Sequence, residues 1–64
     1  MRFGMAAVQK GFVTPTQVVE AMEIQIKENF RLGIHRPIGE ILKSEGLMTD
    51  SQIEQVLQVL NVRD

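Results

Sequence analysis

The segment "GFVTPTQVVEAM", Gly11 to Met22, decides the fold, because "GLMTDSQIEQVL", Gly46 to Leu57, repeats its pattern. Gly, Thr and Gln fall at the same places, and apolar residues stand opposite apolar residues. Thr14-Pro15-Thr16-Gln17 and Thr49-Asp50-Ser51-Gln52 both read as capping boxes. In such a box the Thr hydroxyl accepts from the N–H at the third helical position, and the Gln side chain accepts from the Thr N–H. Pro15 stands at the first helical position, where its missing N–H is no loss. Asp50 stands at the same place in the second copy and suits the positive end of the helix dipole. Val13 and Met48 precede the caps and are placed to staple onto Val18 and Ile53. Upstream, Gly11 and Gly46 fit the left-handed position that ends a helix, with Phe12 and Leu47 supplying the apolar contact that follows it.

Working outward, the alignment of Phe3–Gln25 with Ile38–Leu60 adds a further identity, Gly4 with Gly39. Each copy reads as a short helix, a glycine stop, a two-residue connection and a longer capped helix. The expected fold is all-α: one domain over residues 1–64, with four helices in two tandem hairpins (units 2–25 and 37–60, connection 27–36). The short helices are expected over Phe3–Lys10 and Ile38–Glu45, presenting Ala7, Val8, Ile41 and Leu42. Helices this short are marginal in water alone, so they must dock on the longer ones. Val18, Met22, Ile26 and Phe30, with Ala21, form one predicted core stripe; Ile53, Val56, Leu57 and Leu60 form the other. Met22 and Met48 are accordingly read as core. The second helix is expected to reach Phe30 or Arg31 and stop at Gly33, and Pro37 opens the third. Gly4 and Gly39 disfavour helix, so a close approach by backbone or ligand is expected there.

A net charge of −1 with 44% hydrophobic and 23% charged residues excludes both a disordered profile and the basic profile of a typical nucleic-acid binder. Ordering each residue costs about 1.5 kcal/mol, which in so short a chain nearly cancels the hydrophobic gain. With no Cys and a single His, neither disulfides nor a structural metal can make up the difference. Tidy helix packing and self-association remain. The apolar run near Arg2 is broken by Gln9-Lys10, so it makes no signal peptide, and no stretch is long enough to span a bilayer. A cytoplasmic location is the default expectation.

The pattern R-F-G-x-x-A-V-x-x-G-x-V-T-x-x-Q-V-x-x-A-x-x-x-Q, Arg2 to Gln25, resembles the N-terminal domain of type II secretion and type IV pilus assembly ATPases, where a unit R-L-G-x-x-L-x-x-x-G occurs in tandem. The resemblance implies a regulatory or protein-docking module, bacterial and without the ATPase domain. In some members it also implies cyclic di-GMP binding. The ligand surface so implied comprises Arg2, Phe3, Gly4, Ala7, Gly11 and Gln25 from the first unit, with Arg36, Ile38, Gly39 and Gly46 from the second. The second unit departs from the pattern at Pro37, in the column of the leading Arg, and at Leu60, in the column of the closing Gln.

Lys27, Arg31, His35 and Arg36, with Arg2, hold most of the positive charge. Lys27, Arg31 and His35 are spaced to line one helix face, and paired Arg forks suit phosphate or carboxylate. The alternative is a solvated helix end, where cations favour the C-terminal dipole. His35 has no second His or Cys to share a metal. Ser44 and Ser51 lack a base and an orienting acid, so no catalytic residue is expected, and no cofactor. A helix-turn-helix DNA reader is a second reading, opposed by Glu20, Glu23, Asp50 and Glu54 on the helices that would meet phosphates. A self-assembling structural unit, for instance a homodimer through apolar stripes, is a third.

Overall fold

The computed structural model describes residues 2–62. Among these it contains four helices and no strand: α1 (Arg2–Gln9), α2 (Pro15–Leu32), α3 (Ile38–Ser44) and α4 (Asp50–Val62). Both predicted capping boxes form. Gln17 N–H donates to the Thr14 hydroxyl at 3.2 Å while Thr14 N–H donates to the Gln17 side chain at 2.9 Å. Thr49 and Gln52 exchange the same two bonds at 3.0 and 3.1 Å.

The helix stops form too, through one pattern of bonds. Gly11 N–H donates to the Val8 carbonyl and Phe12 N–H to that of Ala7. In the second hairpin, Gly46 N–H donates to Lys43 and Leu47 N–H to Leu42. Each set is a Schellman motif, and the two glycines sit at φ +79° and +76°, where a Cβ would be strained. Gly33 closes α2 in the same left-handed region, at φ +66°. The short helices each end one residue earlier than the sequence implies, at Gln9 and Ser44.

Packing interlocks the hairpins. The short helix of each lies mainly against the long helix of the other, α1 on α4 and α3 on α2, with α1 and α3 touching between them. Ile41, Leu42 and Val56 are fully enclosed, with Ala7 and Ala21 beside them. Fully burying each of the large side chains contributes about 1.5–3 kcal/mol. Val13 and Met48, the residues before the caps, are buried as expected.

One predicted stripe is corrected. Val18 and Ala21 face inward, but Met22, Ile26 and Phe30 point outward, and Phe30 is 87% exposed. The inner side of α2 is instead Val18, Ala21 and the half-buried Ile24, Gln25 and Glu28. The cause lies beneath the C-terminal half of α2, where the incoming connection is held by polar contacts from Gln25 and Glu28. Leu57, also expected inside, is 42% exposed, while its neighbours Ile53 and Leu60 pack at the core edge.

Candidate functional site

The residues implied as a ligand surface occupy different kinds of place in the fold. Gly11 and Gly46 are helix stops with open space around them. Ala7, Ile38 and Gly39 are enclosed. The close approach expected at Gly39 comes from the protein itself: a Cβ built there would lie 2.9 Å from the Phe3 ring. Glycine at this position lets α1 set an aromatic ring directly on the α3 backbone. Gly4 is buried on α1, and Arg2 is exposed at its start.

Gln25 and Arg36 come together in a structural role. The Gln25 amide donates to the Arg36 carbonyl at 2.8 Å. The Arg36 guanidinium grips Glu28 through two bonds, Nε to Oε1 at 2.9 Å and Nη2 to Oε2 at 2.6 Å, and adds a longer bond to the Ser44 hydroxyl. Ser44 in turn donates to the Ile41 carbonyl. A bidentate, partly buried pair of this kind is among the stronger charged contacts. The Arg36 hydrogen bond holds the Glu28 carboxyl below its ordinary pKa of 4.5. These contacts tie the connection and the end of α3 to α2, so Arg36 is no free anion fork.

The expected basic face is shorter than its spacing implied. Lys27 and Arg31 share one side of α2, but the helix ends at Leu32, so His35 falls beyond it. His35 instead borders a shallow recess of mixed polarity with Gln25, Ile26, Asn29 and Phe30. Among the described residues there is no cluster of His, Cys, Asp or Glu able to hold a metal ion. No helix there is long and apolar enough to cross a membrane.

The feature the sequence reading missed is the outer face of α2. Val19, Met22, Ile26 and Phe30 are exposed along a single arc of the helix, and Met5 of α1 lies alongside. Between α1 and α2 this face dips into an apolar groove of about 370 Å³, lined by Gly4, Met5, Val8, Pro15, Val18, Val19 and Met22. A signal was present: α2 carries apolar residues on two arcs, and one packed face needs only one. The predicted stripe had joined Val18 and Ala21 of the inner arc to Met22, Ile26 and Phe30 of the outer.

Fold and surface define a small all-α domain of two interlocked helical hairpins with one open apolar face. The chain matches no protein-family model, no curated protein and no solved structure.

Proposed function

We propose that this chain is a small non-catalytic docking module for a protein partner, as its resemblance to secretion-ATPase N-terminal domains implies, with the outer face of α2 as its binding surface. One observation carries the reading: the arc of Val19, Met22, Ile26 and Phe30 lies open to water beside an apolar groove. Contiguous apolar surface on a small domain marks a place where another surface sits. The matching Schellman and capping bonds support a further part of the reading, that units 2–25 and 37–60 are copies of one hairpin.

Cyclic di-GMP has less support as the ligand. The Gln25 amide is already engaged by the Arg36 backbone carbonyl and the Arg36 guanidinium by Glu28, and Ala7 has no exposed surface. In two-dimensional amide spectra at low salt, cyclic di-GMP is expected to leave Arg2–Gly4 and Arg36–Gly39 unshifted. Clustered shifts there would move the reading to a dinucleotide sensor.

The docking face is tested with the double variant Ile26→Glu, Phe30→Glu. Both positions are exposed, so its melting temperature should stay close to that of the parent. Binding of a hydrophobic-surface dye at low micromolar protein should fall several-fold. A collapse in melting temperature, or unchanged dye binding, would reject this face as the docking surface.

A further inference from the structure

The outer face of α2 carries a knob, a socket and an ordered set of charges. Phe30 projects near its C-terminal end and is almost wholly exposed. The apolar groove beside Val19 and Met22 opens near its N-terminal end. The eleven residue steps from Val19 to Phe30 separate them by roughly 16 Å along the helix. We infer that this face pairs with the same face of a second copy of the chain, the two α2 helices running antiparallel about a two-fold axis that crosses the outer arc between Met22 and Ile26. The inference rests on the docking reading above and names its partner.

With the axis midway, each Phe30 enters the other copy's groove, and Ile26 lies over the partner's Met22. One knob and one socket per chain are both filled, so the contact closes on itself and leaves nothing to propagate. The groove has an almost wholly apolar lining and room for an aromatic ring. Rings seated in such pockets are the usual anchors of an interface.

The charges fix the direction. Glu20 and Glu23 border the apolar arc in its N-terminal half, and Lys27 and Arg31 border it in the C-terminal half. All four are exposed, and none makes an ion pair among the described residues. Antiparallel pairing sets the partner's Lys27 against Glu20 and Glu23, and its Arg31 toward Glu20. Parallel pairing would put the two charged flanks on opposite sides of the contact and leave them without partners. Rim charges of this kind select orientation more than they add affinity.

Sedimentation of the full chain, from low micromolar to millimolar concentration, is expected to pass from monomer to dimer mass. Phe30→Ala should weaken the dimer at least tenfold with an unchanged circular dichroism spectrum. Glu20→Lys with Glu23→Lys should dissociate it, as should Lys27→Glu with Arg31→Glu. The fourfold reversal should restore the homodimer, because antiparallel pairing keeps opposite charges together; a parallel pair would gain nothing. A monomer at millimolar concentration, a dimer indifferent to Phe30→Ala and the charge reversals, or growth into longer polymers would each overturn the inference. A monomer that still binds the dye through Ile26 and Phe30 would overturn self-pairing alone and leave the docking face standing.

Discussion

The turns at residues 10–15 and 45–50 make the same backbone and capping bonds with largely different side chains. The first has Lys10 lying over the Phe12 ring and Pro15 opening α2. The second has Lys43 bridging to Asp50 at 2.8 Å, from the last turn of α3 to the first of α4. What they share is a left-handed glycine and a Thr-x-x-Gln cap, and those residues alone dictate the chain's path. The short helices before the turns differ more deeply. Where α3 puts Ile41 and Leu42 into the core, α1 puts Ala6 and Ala7, and all four are buried. One hairpin supplies bulk and the other supplies room, so hairpins with matching turns hold unequal halves of the core.

That inequality gives the largest expected effect. Leu42→Ala would open a cavity in fully enclosed packing and cost about 2–5 kcal/mol. Ala7→Leu, at the aligned position, would overfill the same core and cost about 1–3 kcal/mol. Denaturant melts of both variants check the point. If Ala7→Leu stabilised the protein, the two halves of the core would be interchangeable and the contrast between α1 and α3 would fail.

The turns should instead respond alike. Gly11→Ala and Gly46→Ala meet no neighbouring atoms, so only backbone strain at positive φ remains, about 1–2 kcal/mol in each case. Thr14→Ala and Thr49→Ala should each cost about 1 kcal/mol. Thermal melts of the four variants test the equivalence pair by pair. A clear gap between the members of a pair would mean that Pro15 or the Lys43–Asp50 bridge carries part of what is assigned here to glycine and threonine.

These turns are the part of the molecule that could be read without coordinates, because the rules governing them are local. A capping box needs four consecutive residues, and a Schellman stop needs a glycine and its neighbours. The rotation of α2 about its own axis was not legible in the same way. It depends on what packs beneath residues 24–28, and the decisive contacts run from Gln25 and Glu28 to Arg36 across the connection. Met22, Ile26 and Phe30 satisfy helical periodicity equally well inside or outside. The site residues divide similarly. Arg36 as a cation was plain from sequence, but its engagement by Glu28 is a tertiary fact. A close approach at Gly39 is legible in the sequence, while the group approaching it, the Phe3 ring, lies far away along the chain.

The smallest expected effects come from the two ion pairs and take opposite pH signs. Glu28 is held below its ordinary pKa chiefly by its hydrogen bond to Arg36. A carboxyl depressed in the folded state contributes stability that is present above its unfolded pKa and lost as pH falls through the lower folded value. The melting temperature of the parent should therefore exceed that of Glu28→Gln near neutral pH, and the gap should close as the solution is acidified below pH 4.5. Lys43 is held above its ordinary 10.5, first by its hydrogen bond to Asp50. A lysine raised in the folded state contributes stability that is complete below its unfolded pKa and lost as pH rises through the higher folded value. The gap between parent and Lys43→Gln should thus be complete at neutral pH and close as pH rises above 10.5. Both contacts are partly or largely exposed, so solvent screening keeps each gap smaller than a cap deletion. Added salt should shrink the Lys43 gap more than the Glu28 gap, because the Arg36 fork is bidentate and less exposed than the Lys43 ammonium. If salt acted equally on both, the tie at the connection would be no stronger than the surface bridge at the second turn.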